Sequence, residues 1–291
     1  MIAAGSWTFI SPSSLEELET VLSEHGGEKK LMAGATDLFV KMQQMHEIKN
    51  LALISLSRIP ELKRIVKLTT GFEIGSAVTV SEIAASAMPQ ALQQAAHSLA
   101  SPSIRNTATV GGNVCNASPA ADLSVALLAL NADAIIRDSA GRERREPLES
   151  FFKGPGITTL KENEYLKALF IPDSCTYSCF VKLGVRAVME IAIASCAVAI
   201  ETIGPIIKNC KISLGSLGPV PYCCYNAEKA MHGLDVNSPS LHEGIARAAL
   251  LAKESSKPIS DMRASAEYRN AMAGVLVQRS LQEACKKAAF Q

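Results

Sequence analysis

The sequence predicts an α+β protein built in three successive segments, 1–57, 58–174 and 175–291. Three observations predict it. The opening stretch reads as a β–loop–α–β unit. The middle mixes short strand patterns and helices around a long segment without periodicity. After Pro172, three consecutive strand patterns are followed only by helical ones. A chain of 291 residues can bury a sizeable core and hold two or three subdomains.

Each element has a local reason. In "SPSSLEELETVLSEHGG", Ser13 with Glu16 and Ser14 with Glu17 both offer a capping box. Leu15, Leu18, Val21 and Leu22 form an apolar stripe, and Gly26-Gly27 ends the helix. A short strand over Lys30 to Ala33 then leads into "LMAGATDLF", a tight turn of small residues. A helix is expected from about Asp37, and "LALISL" (51–56) is a buried-strand pattern. Two apolar runs flanking Thr70-Gly71 predict a strand pair, "TVSEI" a helix start and "PQALQQAAHSLA" a helix. The 22 residues "SPSIRNTATVGGNVCNASPAAD" (101–122) read as irregular, and long irregular segments in compact domains are usually functional. A helix over Leu123–Leu130, a strand over Ala134–Asp138, a turn at Ser139–Gly141 and a strand "YLKALFIP" complete the middle segment. In the last segment "CFVKLGV", "IAIASCAVAIETI" and "IIKNCKISLGSLG" predict three strands, broken by turn signals such as Gly204-Pro205. Three helices follow, the last within "SAEYRNAMAGVLVQRSLQEACKK".

Composition excludes several partners. The net charge is +1 without a strong basic run, and aromatics make up 5 %, so a nucleic-acid surface is not expected. No apolar run reaches membrane-spanning length, and the opening "MIAAGSWTFISPSS" does not read as a signal peptide. The eight cysteines lack any CxxC spacing and read as reduced thiols of a cytoplasmic protein.

Two places let a ligand approach the backbone closely: Gly34 with Ala33 and Ala35, and Gly111-Gly112 with Asn113. Each precedes an expected helix start. In the second, Ser118 reads as an N-cap with Pro119 at the first helical position. Backbone N–H groups and helix N-termini together make an anion site, so two such loops can grip a pyrophosphate from both sides. Asp37 is expected to cap its helix, leaving Thr36 as a hydroxyl donor. Neither loop has the GxGxxG or GxxxxGK[ST] pattern, and a glycine turn after a strand is often only a turn. Asp122 can contact a ligand hydroxyl or complement a helix dipole. Arg105 and Lys182 are single cations of the kind usually found as surface charges.

Five blocks in order, "LMAGATDL", "IRNTATVGGNVCNASPAADL", "EYLKALFIP", "FVKLGVRAVMEIAIASCAVAI" and "RASAEYR", resemble the FAD-binding medium subunit of the molybdenum hydroxylases, the xanthine dehydrogenase and carbon monoxide dehydrogenase flavoprotein family, essentially end to end. The resemblance implies a two-part FAD-binding domain of the vanillyl-alcohol-oxidase type (1–57 and 58–174) and a C-terminal α+β domain. It implies FAD, with the first loop (Lys30, Leu31, Met32, Ala33, Gly34, Ala35, Thr36, Asp37) and the second (Thr109, Val110, Gly111, Gly112, Asn113) holding its pyrophosphate. It places Ser118 and Asp122 on the adenosine side, Leu166 beside the isoalloxazine ring, and Lys182 at the ring's N5/C4-carbonyl edge. The implied partners are a large molybdopterin-containing subunit and a small [2Fe–2S] subunit, with electrons passing through FAD to NAD, a quinone or oxygen. The rival readings are a flavin-free assembly subunit and a standalone flavoenzyme.

Three positions depart from the family pattern. Ala35 replaces a usual second glycine; at a cost of about 1 kcal/mol for positive φ, it is expected either to keep negative φ or to go with a slightly altered loop. Glu190 replaces a usual Asp, leaving its hydrogen bonds open, and Leu99 falls near an aromatic of some relatives. A cluster-binding cysteine insertion is not expected, because Cys115 runs directly into "NASPAAD". Cys175-x3-Cys179 and Cys223-Cys224 lack cluster spacing, so no metal is expected.

Overall fold

A computed structural model describes residues 7–44, 51–174, 177–186 and 189–289. Residues 1–6, Cys175 and positions 187–188 of the fourth quoted block, on which some sequence readings fall, lie outside the described residues.

The first sheet is parallel, with strands β1 (Trp7–Ile10), β2 (Lys29–Met32) and β3 (Leu51–Ser55) in the order β1-β3-β2. Helix α1 (Leu15–Glu24) connects β1 and β2, and α2 (Leu38–Gln43) follows the first loop. Ser14 caps α1 by accepting from the Glu17 N–H, while the Glu17 carboxylate accepts from the N–H and hydroxyl of Ser13, one residue before the cap, so neither expected capping box closes in full. The strand lies one residue earlier than expected. Asp37 stands at the N-cap of α2 with helical backbone and caps nothing with its side chain, which corrects the capping role expected for it.

The second sheet is antiparallel. Strands β4 (Ile65–Leu68) and β5 (Gly71–Gly75) make the expected pair, and α3 (Val80–Ala85) starts from a complete capping box of Thr79 and Glu82. Helix α4 (Gln90–Ser98) follows. The segment 101–122, expected to be irregular, contains two short helices, α5 (Pro102–Arg105) and α6 (Val110–Cys115). Their caps, Ser101 and Thr109, were the missed signals. Helix α7 (Asp122–Ala129) begins after Ala121. Ser118 is therefore not its N-cap; its hydroxyl instead accepts from the Ala120 N–H in a local turn. Strands β6 (Asp133–Asp138) and β7 (Glu143–Pro147), the turn helix α8 (Leu148–Phe151), the small pair β8 (Phe152–Gly154) and β9 (Ile157–Thr158), and β10 (Glu164–Pro172) complete it in the order β4-β5-β10-β6-β7.

The third sheet orders β11 (Tyr177–Leu183), β12 (Ala194–Ile203), β13 (Ile206–Gly215) and β14 (Tyr222–Cys223), one short strand more than expected. Helices α9 (Tyr225–Met231), α10 (Ser240–Ser255) and α11 (Ala266–Ala289) close the chain. Strand β12 is apolar at nearly every position because both faces are covered. Ala197 and Ala199 join the core around α4 and α7, while Ala194, Cys196, Val198 and Ile200 join the core under α10 and α11. Helix α7 is buried all round and forms the central layer between the second and third sheets. The first sheet is tied to the second where the Tyr165 hydroxyl and the Arg137 guanidinium both donate to Glu19 Oε1, at 2.9 and 2.6 Å.

Candidate FAD site

A cleft of about 620 Å³ opens between the first loop, the 99–122 segment and the start of the third sheet. That volume suits a small-molecule or cofactor site. Residues 31–37, Thr109, Gly112, Asn113, Ser118, Asp122 and Lys182 all line it. Four other residues expected at the site do not. Lys30 points away, its ammonium 3.6 Å from Glu28; Val110 and Gly111 are buried in packing; Leu166 lies in the core of the second sheet.

The two loops differ in where their backbone donors go. In the first, the N–H groups of Gly34, Ala35, Thr36 and Asp37 find no acceptor among the described residues, and Ala35 adopts φ +56. The expectation of negative φ at Ala35 is overturned, because the loop turns in the left-handed region even without the second glycine. Successive free N–H groups around such a turn form a nest for an anion. In the second loop the four N–H groups after Thr109 are used: Val110 N–H goes to Val78 O, Gly111 to Ser76 O, Gly112 to Thr109 Oγ1 and Asn113 to Thr109 O. This loop offers side chains rather than backbone. The Asn113 Oδ1 atom is buried without a partner among the described residues.

Gly34 and Gly111 both have packing reasons to lack a side chain. A Cβ on Gly34 would sit 1.9 Å from the Thr107 carbonyl oxygen, so this glycine lets the two loops touch. A Cβ on Gly111 would sit 2.5 Å from Ser76 Cβ. A third wall is held by Arg105, whose guanidinium donates to the carbonyls of His97, Leu99 and Ala100. It is a staple for the turn at Ala100 (φ +43), not the free surface charge expected for it. Lys41 crosses from α2 to Asn116 and ties the first loop's helix to the second loop.

The Lys182 ammonium lies 2.6 Å from Asp122 Oδ2 and 3.3 Å from the Ser98 carbonyl, and the two side chains are 12 % and 5 % exposed. Lys182 is therefore no surface charge. The contact also brings together two residues that the resemblance placed at opposite ends of the cofactor. Burial pushes the Asp122 carboxyl above the usual carboxylate range, and the Lys182 ammonium opposes that shift. Asp122 Oδ1 faces no protein partner among the described residues. Glu190, whose bonds the sequence left open, accepts from the Arg186 N–H and lines the same cleft with Met189 and Ile191. Leu99 also lines it. Burial raises the Cys115 thiol at the cleft edge to about 12, so it stays protonated and is no nucleophile. Sequence reasoning missed Lys41, which lies outside every motif, and Ile191, which lies inside the fourth block but was not singled out there.

Free backbone donors at a strand–loop–helix turn, buried acceptors left open and a paired cation define a cleft built for a phosphate-bearing cofactor. Residues 5–174 match the family model described as the FAD binding domain in molybdopterin dehydrogenase, and residues 180–284 match the CO dehydrogenase flavoprotein C-terminal domain. The chain belongs to this family, the FAD-binding medium subunits of the molybdenum hydroxylases, and is an oxidoreductase subunit with FAD as its cofactor. It is 29 % identical to the carbon monoxide dehydrogenase medium chain of Hydrogenophaga pseudoflava, with 96 % of this chain and 97 % of that one covered. It is 29 % identical to the xanthine dehydrogenase FAD-binding subunit of Escherichia coli O157:H7, over 88 % and 89 %. The solved structure of Hydrogenophaga pseudoflava carbon monoxide dehydrogenase superposes with a TM-score of 0.88, at 28 % identity and 99 % coverage of both chains. The α+β architecture with a two-part FAD-binding domain and a C-terminal domain is that of the family. The residues fit FAD: the Gly34–Asp37 nest suits its pyrophosphate, and the open Asn113 and Asp122 oxygens can accept from its hydroxyl and amine donors.

No helix among the described residues is long and apolar enough to cross a membrane.

Proposed function

We propose that this chain relays electrons within a heteromeric molybdenum hydroxylase, taking them from a small [2Fe–2S] subunit that serves a large molybdopterin-containing subunit, and handing them to NAD, a quinone or oxygen. The observation that carries the reading is the nest at Gly34–Asp37, open toward a cleft whose far end holds the Lys182–Asp122 pair. FAD, when bound, accepts single electrons and gives up a pair, which suits a junction between iron–sulfur centres and a two-electron acceptor.

In this reading the four N–H groups of the first loop bind the pyrophosphate and Thr36 adds its hydroxyl. Asn113 and Ser118 orient the nucleotide from the second wall. Lys182 faces the ring end and Asp122 sits with it rather than on the adenosine side. No side chain needs to act as a general acid or base. The names of its relatives, medium chains of carbon monoxide dehydrogenases and an FAD-binding subunit of xanthine dehydrogenase, support the heteromeric setting.

The test is purification from the native source with mass and spectrum read together. The expected result is one FAD per chain in a complex with a large and a small subunit. Flavin-free chains in that complex would favour an assembly subunit instead, and flavin-loaded chains without partners would favour a standalone flavoenzyme.

A further inference from the structure

We infer that Ser216 is a positioning residue that holds two walls of the FAD cleft at a set spacing; the inference rests on the reading of this cleft as the FAD site. Ser216 follows the last residue of β13 and bonds in two directions. Its N–H donates to the Pro119 carbonyl at 2.8 Å, and its hydroxyl donates to the Ala192 carbonyl at 2.9 Å. Pro119 stands between Ser118 and Ala120, which line the cleft from the second loop. Ala192 follows Met189, Glu190 and Ile191, which line it from the segment that leads into β12. One residue therefore spans the seam between the FAD-binding and C-terminal halves of the cleft.

The surroundings make that span stiff. Gly215 has no room for a side chain: a Cβ would come within 2.5 Å of both Val125 Cγ2 and Ser195 Oγ, so the third sheet lies directly against α7. Beyond Ala192, the Ile193 N–H donates to the Leu183 carbonyl at 2.8 Å. The buried Arg269, from the "RASAEYR" block, donates to the Ile193 carbonyl at 2.6 Å and to Asp261 at 2.7 Å. These contacts fix the C-terminal side of the wall; Ser216 joins that side to the second loop.

The backbone supplies the reason to single out a serine. Ser216 adopts φ +59, a left-handed conformation that glycine holds at less cost than any L side chain. A turn that needed only its backbone bond to Pro119 would be served better by glycine. What glycine lacks is the hydroxyl to Ala192. A non-glycine residue in a sparsely populated backbone region beside a ligand cleft fits a positioning role.

The test compares Ser216→Gly and Ser216→Ala in the full-length chain. Three readouts are taken: melting of the apoprotein, the rate of tryptic cleavage after the exposed Arg186, and FAD affinity by flavin fluorescence. Losing one neutral hydrogen bond at the wall should speed cleavage at Arg186 and weaken FAD binding by about fivefold in both variants. The Gly apoprotein should melt at or above wild type, because its backbone is relieved, while the Ala apoprotein melts below it. A Gly variant with wild-type cleavage and wild-type FAD affinity overturns the inference. So does a Gly apoprotein that melts below wild type, since the serine would then hold the fold and not the wall. If wild-type protein takes up no FAD, the cofactor site is wrong, and cleavage at Arg186 still decides whether the tether exists.

Discussion

The two small-residue loops look alike in sequence and do opposite things. Gly34–Asp37 leaves its N–H groups open to the cleft and turns through Ala35 at φ +56. Val110–Asn113 spends its N–H groups on Val78, Ser76 and Thr109. The first loop is built to receive an anion; the second is a braced wall that supports the first and offers Asn113. Glycine marks both, yet Gly34 and Gly111 are small because protein backbone or a neighbouring serine fills the space beside them. A glycine beside a ligand site is thus not by itself a ligand contact. The destination of each N–H decides.

The largest test of that comparison is Gly34→Val with Gly111→Val. The sequence alone suggests that either would eject FAD from an intact fold. With a Cβ at 1.9 Å from Thr107 O or 2.6 Å from Ser76 O, both should instead destabilise the apoprotein, by about 3 kcal/mol or more, in a denaturant melt. An apoprotein of wild-type stability that merely lost flavin would restore the phosphate-contact view.

Next in size is Lys182→Met. It strips the counter-ion from Asp122, whose side chain is 5 % exposed, and should cost the apoprotein about 3 kcal/mol. Asp122→Asn added to Lys182→Met should recover much of that loss. With FAD bound, the single variant should also lower the flavin reduction potential, by on the order of 20 mV for each kcal/mol of lost attraction in the reduced state. A potentiometric titration matching wild type at full occupancy would remove Lys182 from the ring end.

Thr109→Val sharpens the closed character of the second loop. It removes the acceptor for the Gly112 N–H and the N-cap of α6, and should cost about 1 kcal/mol in the apoprotein. Thr109→Ser should keep the cap. A loss of FAD affinity without loss of apoprotein stability would mean that this loop, too, works by ligand contact.

The smallest expected effect is Ala35→Gly. Relief of the left-handed alanine, partly offset by greater freedom of the unfolded chain, should raise apoprotein stability by about 0.5 to 1 kcal/mol and leave the nest intact. A measurable fall in FAD affinity would show that the alanine's strain is part of the site's preorganisation.

Much of the fold was legible because its signals are local. The Ser14 cap with the Leu15–Leu18–Leu22 stripe, the Thr79/Glu82 box, the turn at Thr70-Gly71 and the apolar run of β12 each name their element through capping, periodicity or burial. Short elements escaped: α5 has four residues and α6 six, and β7, with four consecutive charged residues, has no apolar run to announce it. Ser118 and Pro119 imitated a helix start, but the chain needed two more residues before α7 could bury its first turn.

By itself the sequence determined the order of the longer elements, the two glycine loops and, through five blocks in order, the family and its cofactor. Tertiary structure alone decided which donors remain open, that Lys182 and Asp122 pair at 2.6 Å across 60 residues, and that Ser216 ties Pro119 to Ala192. The reason is physical. Helix caps, turns and strand periods depend on residues within a few positions of one another. Hydrogen-bond satisfaction and buried charge pairing depend on what folding brings beside a group from far along the chain.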